Sequence, residues 1–329
     1  MRIIQSGFGA VGQSLAGLLE SRDDIYTKYG IMTKFVAISD SGGTIHDESG
    51  LDPARMIQKK RQEGTISDSK KSISSIIQNM DADVLIEATP SNYIDGEPGM
   101  TNIITALKRG IHVISVNKGP LALALPSLVE MAVYNGVYLR FSGTVGGGTP
   151  ILNYAKKSLR GERITSFRGI LNGTTNYILT SMGGGMSFEE ALGDARGRGY
   201  VEADESLDLD GWDVAAKLTI LSNWVMNQKT TIHQVERDGI RDVTQQDIQR
   251  STERGNAIKL VANCNDVISV GVEDVPFDDP LCIHGTLNAA SFTSEHSGTQ
   301  TIIGRGAGGI ETASSVLRDL LDIRQVVTK

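Results

Sequence analysis

Cysteine is scarce in this chain of 329 residues, which contains only Cys264 and Cys282. Two isolated cysteines provide neither a disulfide framework nor metal-ligand spacing, so we expect the protein to work in a reducing cytoplasm. The sequence also lacks an apolar run of about 18 residues and an apolar leader before its first strand, and it therefore predicts neither a membrane span nor a secretory signal. The 5 histidines show no metal-ligand spacing either.

An excess of positive charge is also absent, because the formal net charge is -7 at pH 7. A negative total disfavours nucleic acid and anionic membranes as partners. Hydrophobic residues make up 40% of the chain and charged residues 22%, which is ordinary for a globular protein. The length is sufficient for two folded domains.

Short apolar strands alternate with helices over the first 145 or so residues. The predicted strands are residues 2–6, 35–39, 83–88, 111–115 and 137–141. Helices are predicted from residue 11 onwards and over residues 101–108 and 121–134, whereas the polar stretch 40–52 is predicted to be a loop. This alternation is typical of an α/β fold, a doubly wound parallel sheet with helices on both faces.

A glycine-rich segment lies between the first strand and its helix, and it reads Gly7, Phe8, Gly9, Ala10, Val11 and Gly12. In this position the G-x-G-x-x-G pattern predicts a Rossmann-type dinucleotide-binding turn. Gly7 would permit the tight turn, Gly9 the approach of a pyrophosphate, and Gly12 close packing of helix and strand. The first N–H groups and the positive dipole end of the helix would face the phosphates. The segment therefore predicts a nicotinamide-dependent oxidoreductase.

The pattern changes after the glycine run 146–148. Beyond it the sequence predicts a strand at 164–171, two helices, an acidic loop at 199–208, a helix at 209–226, strands at 267–272 and 300–303, and a final helix at 310–323. A second glycine-rich stretch, 304–309, suggests that the final helix returns to the first domain. We therefore expect a dinucleotide-binding domain of residues 1–140 and 304–329, and an α+β catalytic and dimerisation domain of residues 141–303.

Asp40 follows the second strand, where an acidic side chain can hold the ribose hydroxyls of a dinucleotide. It lies farther from the glycines than the usual spacing of about 20 residues, and the loop 23–33 accounts for the excess. An acid here favours NAD over NADP, whose 2′-phosphate it would repel. The basic residues Arg55, Lys59 and Lys60 could still reach a phosphate, and Asp40 could instead form a local Asx turn. The sequence leaves the choice of cofactor open.

Asp213 and Lys217 are four residues apart on the predicted helix 209–226, so they share one face. At about 100° per residue the pair lies near the start of the most apolar face, whereas a surface helix would place it on its polar side. Because burying charge without a role is costly, the pair indicates a site, although a structural ion pair under a loop is the alternative. The loop just upstream adds the acidic residues Glu202, Asp204, Glu205 and Asp208.

An acidic cluster with one lysine suits a substrate that bears an ammonium group and a hydroxyl. Carboxylates would hold the ammonium group, and the lysine would exchange the hydroxyl proton while a hydride moves to or from the cofactor. Since neighbouring carboxylates favour the charged lysine, we expect Lys217 to act most readily as a proton donor, in the direction that reduces a carbonyl.

Several blocks of sequence resemble homoserine dehydrogenase, occur in the order of that family and cover nearly the whole chain. They are Asn117-Lys118, residues 144–150 (TVGGGTP), 169–177 (GILNGTTNY), 199–204 (GYVEAD) with Asp208, Asp213 and Lys217, and 306–309 (GAGG). The resemblance implies an enzyme of threonine and methionine biosynthesis that interconverts L-homoserine and L-aspartate 4-semialdehyde with NAD or NADP. It also implies a homodimer. Because this chain is short, we expect neither a fused kinase domain nor a regulatory domain, and so no feedback control by threonine through such a domain.

The resemblance further implies roles for the matching positions. Lys217 matches the proton-transfer lysine, Asp213 the substrate-binding aspartate beside it, and Lys118 a lysine near both nicotinamide and substrate. The residues that match the substrate pocket are Glu202, Asp208, Tyr200, Gly173 and Thr174. The residues that match cofactor contacts outside the first glycine turn are Thr89, Lys118, Gly306 and Gly308.

A sodium ion held by backbone carbonyls is also implied, and the matching positions are Ser142, Val145, Gly147 and Thr149. Many members of the family carry Glu where this chain has Ser142, so a supporting negative charge is missing here. We therefore leave the occupancy of this metal site open.

The sequence fits three other interpretations less well. A two-domain sugar oxidoreductase would commonly use a lysine–histidine arrangement that this sequence does not show. An aspartate-semialdehyde dehydrogenase needs a nucleophilic cysteine, and neither Cys264 nor Cys282 lies in a matching motif. A nucleotide-sensing protein without catalysis would have no need for Asp213 and Lys217 on an apolar face.

Overall fold

The computed structural model describes residues 1–201, 204–265 and 267–327. The strands in this part of the chain are β1 (Arg2–Ser6), β2 (Lys34–Ser39), β3 (Thr44–Leu51), β4 (Val84–Glu87), β5 (His112–Ser115), β6 (Leu139–Arg140), β7 (Ile164–Ile170), β8 (Glu236–Arg237), β9 (Asn256–Cys264), β10 (Ile268–Pro276), β11 (Leu287–Ser294) and β12 (Gly298–Arg305). The helices are α1 (Ala10–Ser21), α2 (Asp23–Tyr29), α3 (Pro53–Glu63), α4 (Ile73–Asn79), α5 (Gly99–Lys108), α6 (Lys118–Tyr134), α7 (Ile151–Asn153), α8 (Gly173–Gly183), α9 (Phe188–Gly197), α10 (Ser206–Leu209), α11 (Trp212–Val225), α12 (Gln245–Glu253) and α13 (Gly309–Val327). The chain divides into two compact units, Met1–Gly148 with Gly308–Lys329, and Thr149–Ala307.

The first unit contains a six-stranded sheet of order β3-β2-β1-β4-β5-β6. All neighbours pair in parallel except β3, which runs antiparallel to β2. The inner strands are largely buried and mostly apolar, as is typical of strands covered on both faces. Ile3, Leu15 and Val316 share one core, so β1, α1 and the last helix pack together. The predicted α/β fold with a Rossmann-type parallel sheet is confirmed.

The prediction of a continuous loop over residues 40–52 is wrong, because this stretch contains the edge strand β3. Most of its side chains are exposed or half-buried, and only one of its edges pairs with a neighbouring strand. Polar residues are common on such edges because they discourage pairing with other chains. The strand therefore lacks the apolar alternation from which a strand is predicted.

The second unit contains a six-stranded sheet of order β12-β11-β7-β9-β10-β8. The pairs are antiparallel except β10 with β8. This mixed sheet confirms the α+β character expected for the second part of the chain. The sequence analysis missed β9 and β11, because a lysine interrupts the first and small residues, such as Ala289 and Ala290, dominate the second.

The helix predicted over residues 209–226 is α11, which begins three residues later than predicted, at Trp212. Leu209 ends the short α10, and Gly211, in the left-handed region with φ of 77°, separates it from α11. Both sides of α11 are buried, including the side that carries Ala215 and Thr219. The charged pair Asp213 and Lys217 therefore lies on a helix that is enclosed nearly all round. Within the described ranges, no helix is both long and apolar enough to cross a bilayer.

Lys259 on β9 is an unusual core residue, since only 1% of it is exposed. Its ammonium donates to the Ile283 carbonyl at 2.6 Å, to Asn176 Oδ1 at 2.8 Å and to Thr180 Oγ1 at 3.3 Å. All three acceptors are neutral, and burial lowers the pKa of Lys259 from 10.5 to about 8. Between these two pKa values the unfolded chain binds more protons than the folded one, so the folded state gains stability as the pH rises.

We expect the wild-type protein to gain about 2 kcal/mol of unfolding free energy, relative to a Lys259→Met variant, between about pH 7.5 and pH 9.5. Urea unfolding of both proteins at the two pH values measures this difference. A Lys229→Met variant, which removes an exposed lysine, serves as the control and should follow the wild type. Parallel stability curves for wild type and Lys259→Met would contradict the lowered pKa.

Candidate active site

Asp213 and Lys217 form a largely buried ion pair on α11. Lys217 Nζ lies 2.6 Å from Asp213 Oδ2, and the two side chains are 9% and 14% exposed. The ammonium also donates to the carbonyl oxygen of Leu171, the residue after β7, at 2.6 Å. The four-residue spacing thus produces the expected contact, and the end of β7 adds a second acceptor.

The Lys217 ammonium has three N–H donors, and two of them are used by Asp213 and Leu171. No further acceptor for it occurs among residues 1–201, 204–265 and 267–327. A bound molecule with an oxygen at this position would take the third N–H. The arrangement therefore suits the donation of a proton to a substrate oxygen.

Asn172 connects the two acidic groups of the site. Its Nδ2 donates to Asp208 Oδ1 at 2.6 Å and to Asp213 Oδ2 at 2.9 Å, and the residue is only 4% exposed. Its Oδ1 accepts the Thr175 N–H at 2.8 Å and so caps the N-terminus of α8. Asn172 lies within the block GILNGTTNY, but no role was predicted for it from the sequence. An asparagine between a strand and a helix signals the cap, but not the contacts with the distant aspartates.

Other predicted pocket residues gather around the start of α8. Thr174 Oγ1 donates to the Tyr200 carbonyl at 2.7 Å, and the Tyr200 ring packs edge-on against Tyr177 with 5.0 Å between centroids. A Cβ on Gly173 would lie 2.7 Å from the Thr286 carbonyl oxygen, so only glycine fits there. Thus Gly173, Thr174 and Tyr200 lie in one neighbourhood with Asp208, through Asn172. The predicted substrate-binding residue Glu202 lies outside the described residues.

The segment between Asp208 and Asp213 is held by residues around β8. The Arg237 guanidinium lies 3.8 Å from the Trp212 ring centroid and donates to the Asp210 carbonyl. The Ile240 N–H donates to the Leu209 carbonyl at 2.8 Å. These contacts fix the backbone that carries both aspartates of the site.

The three glycines of the first turn, in the first unit, have different surroundings. Gly7 has φ of 94°, and a Cβ there would lie 2.3 Å from the Ala88 carbonyl oxygen. A Cβ on Gly12 would lie 2.3 Å from Gln5 Nε2, so this glycine permits close packing of α1 on β1. A Cβ on Gly9 would meet no described atom within 4 Å, so this position faces open space. The glycine next to the first N–H groups of α1 is therefore the one that leaves room for a ligand.

The other predicted cofactor-binding residues lie in different parts of the structure, and not all of them lie at the nucleotide turn. Thr89 follows β4 and Lys118 follows β5, so they share with Gly7 the carboxyl edge of the parallel sheet, where such folds bind nucleotides. Phe8 is 1% exposed and belongs to the core, whereas Ala10 and Val11 form the first turn of α1. Gly308, with φ of 128°, precedes α13 in the first unit. Gly306 belongs to the second unit, against the side chain of Asn288.

Asp40 lies at the end of β2 as predicted, but its carboxylate accepts five hydrogen bonds of 2.6 to 3.1 Å from this chain. The donors are the backbone N–H groups of Gly42, Gly43 and Ile66, the Thr65 hydroxyl and the Lys60 ammonium. Burial opposes the charge, but these hydrogen bonds lower the pKa of Asp40 below its ordinary value. A carboxylate has about four lone-pair sites, so five donors saturate it. The geometry disfavours the expected contact of Asp40 with ribose and favours a role in holding the turn.

Two of the four predicted sodium ligands, Gly147 and Thr149, already accept a hydrogen bond through their carbonyl oxygens. The Gly147 carbonyl accepts the Ser315 hydroxyl, and the Thr149 carbonyl accepts the Ile151 N–H at 2.8 Å. Ser142 is bound through its N–H and hydroxyl to the buried carboxylate of Asp319, at 2.9 and 2.7 Å. Each of these two carbonyl oxygens keeps a second lone pair, so the sodium site stays a prediction. We derive no chemical step through a sodium ion.

Comparisons with known proteins agree on one family. The family model described as "Homoserine dehydrogenase, NAD binding domain" matches residues 7–142, and the model described as "Homoserine dehydrogenase" matches residues 150–321. A homoserine dehydrogenase of Methanocaldococcus jannaschii is 44% identical over 98% of each chain. An NAD(+)-dependent homoserine dehydrogenase of Pseudomonas canavaninivorans is 37% identical over 98% of this chain and 96% of its own. The structure of a hyperthermophilic archaeal homoserine dehydrogenase in complex with NADPH aligns with a TM-score of 0.87 and 28% identity, covering 99% of this chain and 98% of that one.

We expect an Asp40→Asn variant to bind NADH and NADPH more weakly by similar factors and to lose about 3 kcal/mol of stability, because the change leaves Lys60 without its carboxylate. Fluorescence titration with each dinucleotide and thermal unfolding measure the two effects. An Asp47→Asn variant, which removes an exposed acid on β3, is the matched control. A loss confined to NADH, with stability intact, would show that Asp40 contacts the ribose after all.

Proposed function

Because the chain belongs to the homoserine dehydrogenase family, we propose that the network around Lys217 carries the family's interconversion of L-homoserine and L-aspartate 4-semialdehyde. The observation that supports this most directly is the buried Lys217 ammonium, with one N–H left over beside two aspartates. This site combines a proton donor with anionic groups that suit an amino-acid ammonium. Both are needed for a substrate that is an amino acid and also an alcohol or aldehyde.

Lys217 moves the proton in this proposal. In the reducing direction its third N–H donates to the aldehyde oxygen, so that the oxygen becomes the hydroxyl of homoserine as negative charge develops on it. In the oxidising direction the neutral amine accepts the hydroxyl proton. The dinucleotide, when bound, supplies or accepts the hydride at the same carbon. Asp213 and the Leu171 carbonyl orient the amine in both directions.

Asp208 holds the ammonium group of the substrate. It is half-buried, and the hydrogen bond from Asn172 holds its carboxylate in position. Glu202 is proposed as a second acid for the same group. Thr174 and Tyr200 form the adjoining wall of the pocket. Asp213 both binds the substrate and orients Lys217.

The first unit holds NAD or NADP in this proposal, with the phosphates at Gly9 and the first turn of α1. Thr89 and Lys118 lie at the same edge of the sheet and complete the set. We also propose a homodimer and a cytoplasmic place of action. The second of these fits the free thiols of Cys264 and Cys282.

The cysteines disfavour the alternative aspartate-semialdehyde dehydrogenase chemistry, which needs a thiolate nucleophile. Burial raises the pKa of Cys264 to about 11 and raises that of Cys282 above its ordinary value. A thiol with a raised pKa is a weak nucleophile at neutral pH. In the part of the chain that the structure describes, neither cysteine is a hydrogen-bond partner of Lys217.

We expect Lys217→Ala to lower kcat for homoserine oxidation by roughly 10²- to 10⁴-fold, because the general acid–base group is lost. NADH affinity, measured by fluorescence titration, should stay within about twofold, since Lys217 lies outside the unit with the nucleotide turn. Lys229→Ala, which removes an exposed lysine, is the control. The assignment of Lys217 fails if NADH binding falls in parallel with turnover. The proposed function fails if folded wild-type protein turns over homoserine with neither cofactor.

We expect Asn172→Ala to raise KM for homoserine at least tenfold, because two aspartates then lose the amide that aligns them, each such hydrogen bond to a charged group contributing about 1.5–3 kcal/mol. Steady-state kinetics at varied homoserine concentration measure the change. Ser187→Ala removes the N-cap of α9 instead and controls for the loss of a helix cap. If both variants lose stability but neither changes KM, Asn172 is only a cap.

A further inference from the structure

Asn288, near the start of β11, shares an acceptor with Lys217. Its Nδ2 donates to the Leu171 carbonyl oxygen at 2.8 Å, and Lys217 Nζ donates to the same oxygen at 2.6 Å. A carbonyl oxygen has two lone pairs, and these two donors fill both of them. The position of the Leu171 carbonyl therefore depends on the amide of Asn288 as well as on the end of β7.

The orientation of this amide follows from its contact. Only the NH₂ group can donate to a carbonyl, so Nδ2 must face Leu171 and Oδ1 must face away. Oδ1 is buried and has no hydrogen-bond partner among the described residues, and the residue is only 1% exposed. An unsatisfied buried acceptor is costly, whereas a leucine of similar volume would avoid the cost. The hydrogen bond that Asn288 donates to the Leu171 carbonyl is the interaction that an apolar residue could not form.

Gly306 provides the space for this amide. A Cβ on residue 306 would lie 2.0 Å from both Cγ and Nδ2 of Asn288 and 2.3 Å from Oδ1. Such distances are far inside van der Waals contact, so any side chain at 306 would displace the amide. Gly306 is also absent from the glycines with positive φ, so its backbone conformation is open to other residues. The requirement for glycine here is one of space beside Asn288.

We infer that Gly306 and Asn288 together position Lys217, through the Leu171 carbonyl, and that Gly306 serves the proton-transfer lysine rather than the nucleotide. Asn288 is a positioning residue, since it acts through Leu171. This inference rests on the proposed function, because it takes Lys217 as the group that moves the proton.

The physical consequence lies in the direction of the third N–H of Lys217. With Asp213 and Leu171 fixed, the tetrahedral ammonium can point its remaining N–H in only one direction. If the Leu171 carbonyl shifts, that N–H swings away from the substrate oxygen. A misplacement of about 1 Å can cost on the order of 10²-fold in rate, while groups that only bind the substrate are unaffected.

The first experiment is Asn288→Ala in the full-length protein. We expect kcat for homoserine oxidation to fall at least about tenfold, with KM for homoserine and NADH affinity each within about threefold of wild type. The matched control is Asn223→Ala. Asn223 lies on α11, and the variant also removes a buried side-chain amide. That amide exchanges hydrogen bonds of 2.8 and 2.9 Å with the backbone of Thr230. The control should lose stability but keep kcat.

The second experiment is a double-mutant cycle with Gly306→Ala. Alone, Gly306→Ala should lower kcat about as much as Asn288→Ala, because its Cβ displaces the amide. In the Asn288→Ala background the amide is gone and the Cβ has room, so Gly306→Ala should have little further effect on kcat. Strong non-additivity of this kind is expected only for residues that act as a unit. Asn288→Ser, which also leaves room for the Cβ, replaces Asn288→Ala if that variant does not fold.

Two results would overturn the inference. One is an unchanged kcat in a folded Asn288→Ala or Asn288→Ser protein. The other is a Gly306→Ala variant whose main defect is weaker NADH binding, retained in the double variant, which would return Gly306 to the nucleotide. Wild-type turnover and Lys217→Ala in the same assay test the proposed function separately. If the wild type is active and Lys217→Ala is not, a normal Asn288→Ala rejects only the inference.

Discussion

A buried ammonium requires fixed acceptors around it, and the second unit is organised around meeting that requirement for Lys217. The cost of moving a charge out of water is offset only where hydrogen-bonding partners are held in place. Two consecutive residues that follow β7 form hydrogen bonds with the positively and the negatively charged groups of the site. The Leu171 carbonyl accepts from the ammonium, and the Asn172 amide donates to the two aspartates. The end of a single strand therefore aligns the cation with the anions.

The same unit contains a second buried lysine, and the contrast shows what separates a structural ammonium from a reactive one. Lys259 uses its three N–H groups on neutral oxygens from α8 and from the segment before β11. Lys217 uses only two, one of them on a carboxylate. An ammonium whose three N–H groups all have acceptors within the protein connects parts of the fold. An ammonium beside acids with one N–H group left over can donate it to a substrate. The sequence does not show this difference, since the donor count depends on residues brought together by the sheet.

How much could be predicted from sequence depended on the distance between the interacting residues. The turn at Gly7–Gly12 and the pair of Asp213 with Lys217 are local patterns, and both were predicted. Asn288 reaches the Leu171 carbonyl because β7 pairs with β11, with Ile170 opposite Ala289, whereas Asn172 contacts aspartates that lie 36 and 41 residues further along the chain. No local pattern records that register. Asp40 shows both cases, because its place after β2 and the local turn to Gly42 were foreseen, whereas its partners from residues 60 to 66 were not.

Glycine is the residue for which this limit is clearest. Gly7 is required by its backbone angle and the nearby Ala88, Gly12 by packing against Gln5, and Gly306 by the Asn288 amide. Gly9 alone among these four has open space where a Cβ would be. A glycine-rich motif therefore contains glycines that leave room for a ligand and glycines that packing requires, and the sequence alone does not distinguish the two kinds. Only the surroundings of each Cα separate them, and by that criterion the glycines of the two stretches do not all serve the nucleotide.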